Sequence, residues 1–546
     1  MRIHAGMGFW LRFLGFGLLL HLVAGATGFM LAKDLAKMAL WWAVGGSALM
    51  LACQPLSPRA RQRVWLAMVL WWALDIGIQG VVRGYFGAAP QPGVIAESLA
   101  NTTPGEVAGF LGEQWGAIGR GLAFAAGAVV LAAALMHGHF RPLAGPAWPR
   151  RRTLVLGALA LFFVALHFNP TMLRQQPLLR WGVVLVRHAH AQQQIARIGA
   201  DRAAVQADAA NWKVRALDPA PRTVVLVIGE SATRLNWGLH GYARDTTAPL
   251  VQALAALPGR AVFFEDAWSS EAFTLPSLKL ALTPATQEEP ALWNRTPDIT
   301  QLAQAAGYHV TWLSNQPAHE GWFAAMARTA QLQRFVNSGN WRDSSATDAD
   351  LLAPLHERLA ALAPEREFIV VHLLGQHFHY KQRCPAGTHP WRDATDDAVA
   401  RSLRAAGRSK GIVQARNEYD DAVYCGSQVL GRMLQLLNEQ RPGRALEVLF
   451  FSDHGQEVGH RIDFAGHSQA ERAGFAIPMF WWSRTPGAAA PPPGLAQRPF
   501  RLDWADHALQ RLLAIESAWY RRELDVLDAA YRPAGRVEPV LDGAER

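Results

Sequence analysis

Five apolar stretches crowd into the first 170 residues, at 10–32, 38–57, 64–83, 107–136 and 153–168, and residues 13–32 hold no Asp, Glu, Lys or Arg. A bilayer core asks for about 20 apolar residues per helix. Five long helices without polar faces cannot form a soluble bundle, because nothing would be left to contact water. The pattern therefore predicts a transmembrane domain of five helices over residues 1–170. The first stretch is too long for a cleaved signal peptide and is followed almost at once by another.

The arginines set the orientation. Arg59, Arg61 and Arg63 lie after the second stretch, and Arg150, Arg151 and Arg152 after the fourth. The positive-inside rule places both loops in the cytoplasm, and an odd number of spans then delivers everything after residue 168 to the other side. The same arginines account for much of the formal net charge of +9. No zinc knuckle or basic-aromatic motif accompanies that charge, so nucleic acid is not an expected partner. Glu113 and Arg120 fall inside the fourth stretch, where charge is costly unless it faces protein or water. A solvent-facing partial helix and a substrate-facing groove both fit. Of the three cysteines, Cys53 ends an apolar stretch, and Cys384 with Cys425 fits either one disulfide or two buried thiols.

Residues 171–216 are polar, rich in Ala and Gln, and predict an amphipathic connecting helix lying against the membrane. Over 217–546, short apolar runs at 224–228, 261–265, 308–313, 368–374, 446–451 and 475–482 alternate with helical patterns. This predicts an α/β domain with a mainly parallel central sheet sandwiched by helices. In such sheets ligands gather beyond the carboxyl ends of strands. Polar groups end four of the runs: Gly229-Glu230-Ser231, Ser314-Asn315-Gln316, Gly375-Gln376-His377 and Ser452-Asp453-His454-Gly455. Glu230, Asp453 and His454 together are a ligand set suited to zinc at an incomplete catalytic site, with the fourth position left for a nucleophile.

Those motifs, with Leu239-His240-Gly241-Tyr242-Ala243-Arg244-Asp245-Thr246-Thr247 and Trp312-Leu313-Ser314-Asn315-Gln316, closely resemble the phosphoethanolamine transferases of the Gram-negative envelope. These belong to the alkaline phosphatase and sulfatase superfamily, and the resemblance is somewhat closer to the branch that modifies the lipopolysaccharide core. It implies a multi-pass bacterial inner-membrane protein with a periplasmic catalytic domain over 217–546. It also implies Zn2+ bound by Glu230, Asp453, His454 and Thr274, with Thr274 as nucleophile. Ser269 and Ser270 stand where some members place that group. His377 and His467 match histidines near the transferred group, as acid–base residues or ligands of a second zinc, and His372, His379 and His460 are expected to be structural. Thr102 and Glu106, in Asn101-Thr102-Thr103-Pro104-Gly105-Glu106, are expected to join His377 and His467 in binding substrate. The implied donor is phosphatidylethanolamine, and the implied acceptor is lipopolysaccharide (core or lipid A) or another envelope glycan. A glycerol-phosphate transferase, a membrane-bound phosphodiesterase and a membrane sensor with an inactive enzyme domain are the competing readings. A formylglycine sulfatase is excluded if Thr274 is the nucleophile, since threonine cannot become formylglycine.

Overall fold

The computed structural model describes residues 2–30, 32–86, 95, 111–112, 114–137, 149–168, 172, 175–316, 322–337, 346–485, 487, 491–533, 535–539 and 541. Thr102, Glu106 and Glu113 lie outside the described residues. The chain divides into two compact units, Met1–Gln192 and Gln193–Arg546, each described by itself.

Among the described residues of the first unit, four helices are long and apolar enough to cross a membrane: Gly8–Ala26, Asp34–Ala52, Pro58–Arg83 and Trp115–Met136. The second contains a turn of π-helix at Trp42–Gly46. The last of the five expected stretches forms the helix Pro149–His167, whose apolar part Gly157–His167 is shorter. Aromatic side chains fill the interior, with Trp42 against Phe13, Phe16 and Trp65. Helices Pro58–Phe86 and Trp115–Met136 approach closely at Gly77 and Gly121, where a side chain on Gly77 would come within 3.1 Å of the Gly121 carbonyl. Small residues permit such contact between apolar helices, which have no hydrophobic drive to associate in lipid. Asp75 forms a buried ion pair with Arg180 at 3.3 Å and accepts further hydrogen bonds from Trp181 and Gln79. That pair ties the start of the connecting helix Pro177–Ala207 to the helix Pro58–Phe86.

Among the described residues, the central sheet of the second unit has seven strands: β1 (Arg222–Gly229), β2 (Arg260–Phe263), β3 (His309–Ser314), β4 (Leu332–Phe335), β5 (Arg366–His372), β6 (Ala445–Ser452) and β7 (Met479–Arg484), in the order β2-β7-β6-β1-β5-β3-β4. The sheet is mixed. β6, β1, β5, β3 and β4 pair in parallel, whereas β7 runs antiparallel to both β6 and β2. β4 was not expected, because its Leu-Gln-Arg-Phe sequence is an edge strand with half its side chains exposed and no apolar run. The run expected at 475–482 starts as strand only at Met479. Pro478 has no N–H to give the ladder, and Ala476 turns away to bridge Trp268.

β1 shows why the central strands read as unbroken apolar runs. Val224, Leu226 and Ile228 enter one core, and Val225 and Val227 enter the other, so both faces are covered. The long helix Lys410–Gln440 packs on the second face through Tyr419, Val423, Leu430, Leu434 and Leu437. Trp212, just beyond the connecting helix, is buried in the first core together with Val205. Cys384 and Cys425 are disulfide-bonded, joining the loop after β5 to the long helix. Where the two strand faces meet the helices the packing is apolar; the strand ends are polar.

Candidate metal centre and active site

β1, β5 and β6 are adjacent and parallel, so their carboxyl ends deliver three loops to one edge of the sheet. Backbone hydrogen bonds sew those loops together: Asp453 N–H to Gly229 O at 3.1 Å, Leu373 N–H to Ile228 O at 2.9 Å and Gln376 N–H to Glu230 O at 2.8 Å. Gly375, at φ +53°, lies so close to this seam that a Cβ would sit 2.5 Å from the Glu230 carbonyl oxygen. Only glycine fits both the left-handed backbone and the space.

Glu230, Asp453 and His454 are fully buried and present ligand atoms within 4.8 Å of one another. His454 Nε2 lies 3.3 Å from Glu230 Oε1 and 3.4 Å from Asp453 Oδ2. The His454 ring is set by Nδ1, which lies 2.8 Å from the Gly455 carbonyl; a carbonyl can only accept, so the proton is on Nδ1 and Nε2 points into the cluster. Asp453 Oδ1 accepts the backbone N–H groups of Ser231 at 3.0 Å and His454 at 2.7 Å, while Oδ2 is buried with no hydrogen-bond partner. A buried carboxylate oxygen without a donor is costly. A cation between these groups removes that cost, so the donor set fits a metal.

The charges agree with this. Burial opposes ionisation of Glu230, yet hydrogen bonding and attraction to His454 outweigh it and hold the carboxyl well below its usual range. Burial and the neighbouring Glu230 push Asp453 well above. Burial works against a charged His454, but Asp453 and Glu230 lift the imidazole to about 9. Without a metal, the Asp453 proton and the His454 imidazolium balance ionised Glu230, and a bound cation would take the place of those protons.

Thr274 reaches the same point from another element. It opens the helix Thr274–Ala281, for which Phe273 is the cap residue, so its hydroxyl is not spent on capping. Its Oγ1 lies 3.0 Å from Glu230 Oε2, 3.2 Å from Glu230 Oε1 and 3.2 Å from His454 Nε2. Ser269 instead donates to the Asp453 carbonyl at 2.6 Å and lies 3.0 Å from the Ser277 hydroxyl. Ser270 Oγ is buried without a hydrogen-bond partner.

His377 and His467 lie beside this cluster. The His467 ring is 4.6 Å from that of His454, 5.6 Å from Phe273 and 6.0 Å from His377. It follows a short hairpin, Glu457–Val458 with Ala465–Gly466. Burial pulls His377 down to about 4, and burial with the charges of His454 and His377 holds His467 well below its usual value. Both rings are neutral at pH 7.

His460 and residues of the quoted motifs are hydrogen-bonded within the fold. His460 Nε2 lies 2.8 Å from the Asn236 side-chain oxygen, and its Nδ1 lies 3.5 Å from Glu457. Arg244 is caught by Asp397, Asp420 and Asn417, tying the loop after β1 to the long helix. Asn315 and Gln316 brace the loop after β5: Asn315 donates to Asp348, which accepts the N–H groups of Leu374 and Gly375, and Gln316 donates to the Leu373 carbonyl. Asp348 escaped the sequence reading because no apolar run marks its position.

The curated relatives include phosphoethanolamine transferase EptC of Escherichia coli K12, 28% identical over 326 residues that cover 58% of this chain and 55% of the relative. Phosphoethanolamine transferase CptA of Salmonella typhimurium is 30% identical over 285 residues, covering 51% and 48%. The chain thus spans about half the length of the curated relatives it matches. The crystal structure of the C-terminal periplasmic domain of E. coli EptC in complex with Zn superposes with a TM-score of 0.54 at 26% identity, covering 59% of this chain and 91% of that domain. The integral membrane transferase EptA of Neisseria meningitidis shares the fold over 97% of this chain and 98% of its own, with a TM-score of 0.57 at 18% identity. Residues 222–498, just over half of the sequence, match the sulfatase family, and the chain belongs to that family.

Proposed function

We propose that this chain transfers phosphoethanolamine from phosphatidylethanolamine to lipopolysaccharide or a related envelope glycan, through a phosphothreonine intermediate on Thr274. The observation that carries the reading is the Thr274 hydroxyl, 3.0 Å from Glu230 and 3.2 Å from His454 in a buried cluster at a helix start. Zinc held by Glu230, Asp453, His454 and Thr274 would supply the positive charge that lowers the threonine pKa and balances the phosphoryl oxygens. Thr274 Oγ1 attacks phosphorus as the bond to the glycerol oxygen breaks, and the proton lost by threonine ends on the departing diacylglycerol. An acceptor oxygen then attacks the phosphothreonine and the threonine hydroxyl is restored. His377 and His467, neutral and beside the cluster, are placed to take the acceptor's proton. Thr102 and Glu106 are assigned to donor binding on the resemblance of their loop alone.

We propose in addition that the helix ending at His167 is a fifth span, which places the enzyme domain on the periplasmic side of the inner membrane. The Cys384–Cys425 disulfide supports an oxidising compartment. The test incubates full-length protein in detergent with phosphatidylethanolamine labelled in its headgroup, without acceptor. Phosphoethanolamine label recovered on Thr274 by mass spectrometry supports the mechanism, and no label from this donor beside a glycerol-phosphate adduct formed in a parallel incubation with phosphatidylglycerol overturns it in favour of glycerol-phosphate transfer. Envelope glycolipids from a deletion strain then identify the acceptor.

A further inference from the structure

We infer that Ser231 and Tyr419 are positioning residues that hold the Glu230 and Asp453 carboxyl groups in their metal-binding arrangement. The inference rests on the metal reading above. Ser231 is buried and left-handed, at φ +59°, immediately after Glu230. Every polar group it owns is committed. Its hydroxyl donates to Glu230 Oε1 at 2.7 Å, its N–H donates to Asp453 Oδ1 at 3.0 Å, and its carbonyl accepts from the Tyr419 hydroxyl at 2.7 Å. One residue therefore touches both acidic ligands, and the left-handed backbone is what turns its N–H toward Asp453 while its side chain stays with Glu230.

The consequence is a fixed pose for both acids. Glu230 Oε1 carries the Ser231 donor and also lies 3.2 Å from Thr274 Oγ1 and 3.3 Å from His454 Nε2, beside Oε2 at 3.0 Å from Thr274 Oγ1, so the bond from Ser231 holds both oxygens toward the reacting centre. Asp453 Oδ1 carries two backbone donors, which leaves Oδ2 partnerless and nearest His454. Ser231 thereby holds one acid by its hydroxyl and the other by its backbone N–H. Tyr419 locks the arrangement from the long helix. Its hydroxyl donates to the Ser231 carbonyl and accepts the Thr233 N–H at 2.8 Å, pinning the backbone that leaves the left-handed residue. A non-glycine residue stays at such a φ only when its surroundings over-determine it.

The experiment uses full-length protein in detergent, stripped of metal. Zinc affinity is measured by competition with a chromophoric chelator, and coordination by the visible absorption of the cobalt-substituted protein. Ser231→Gly keeps the left-handed backbone and the N–H but removes the hydroxyl. Tyr419→Phe keeps the ring and removes the lock. Each is expected to weaken zinc binding about tenfold or more and to shift the cobalt spectrum, as loss of outer partners of metal ligands does. Tyr308→Phe is the control: its hydroxyl donates to the Leu513 carbonyl, away from the centre, and it should lower melting temperature without moving either readout. Zinc affinity within about twofold of wild type and an unchanged cobalt spectrum in both test variants overturn the inference. Should Ser231→Gly fail to fold, Tyr419→Phe decides alone. Glu230→Ala separates the two levels: if it retains zinc, the metal reading itself has failed.

Discussion

Replacing Thr274 with alanine removes one hydroxyl and one methyl group at the first position of a helix, from a half-buried side chain. The hydroxyl spends its hydrogen bonds on Glu230 and His454 and caps nothing, so the fold loses little. A lost methyl of this burial is worth about 1 kcal/mol or less, which lowers the melting temperature of a domain this size by about 2–4 °C. Transfer should fall on the order of 10⁴-fold or more, the range seen when an enzyme loses its covalent nucleophile and keeps only binding and electrostatic stabilisation. Thr274→Ser, which restores the hydroxyl at the same helix position, should regain much of the rate. The assay follows headgroup transfer by mass spectrometry, beside zinc content and thermal unfolding of the same preparations. A Thr274→Ala protein that is folded, zinc-loaded and within about tenfold of wild type refutes the assignment, and the adduct should then be sought on Ser270.

Gly375→Ala is expected to cost about 2 kcal/mol or more and to lower zinc occupancy, since a Cβ would meet the Glu230 carbonyl at 2.5 Å and the backbone is left-handed; metal analysis with urea unfolding checks it. Burial lifts the Asp506 carboxyl to about 7, assisted by Asp298 and opposed by Gln510. Its folded pKa exceeds the unfolded value of 3.8, so its contribution to stability is present below pH 4 and is lost as pH rises to 7. Asp506→Asn should flatten stability across that window by a few kcal/mol, and an unchanged pH profile in urea melts refutes it. Reducing Cys384–Cys425, which closes a separation of 41 residues, should destabilise the domain by about 4 kcal/mol, read as a lower melting temperature in dithiothreitol. A soluble fragment beginning at Gln193 should fold, whereas one beginning near 215 omits buried Trp212 and loses about 3–5 kcal/mol; circular dichroism melts of the two compare them.

By itself the sequence determined the apolar N-terminal helices and the identity of the central strands. Both signals are local: a bilayer demands long runs without charge, and a strand covered on both faces demands a continuous apolar run, as Val224–Ile228 shows. Glu230, Asp453 and His454 were legible for the same reason, since each follows such a run directly, and the resemblance of the flanking motifs added Thr274, His377 and His467. Edge strand β4 and the antiparallel β7 were not legible, because strand direction and edge position follow from where the chain crosses over and leave no periodic trace. Only the tertiary structure brought Thr274 to within 3.2 Å of Glu230 and His454 while turning Ser269 to the Asp453 carbonyl, bonded Cys384 to Cys425, and set Asn315 and Gln316 to brace the loop after β5. Ser231 and Tyr419 lie 188 residues apart and meet only because the long helix packs across the end of β1. A hydrogen bond between such positions depends on the folded path of the whole domain, and no window of sequence contains it.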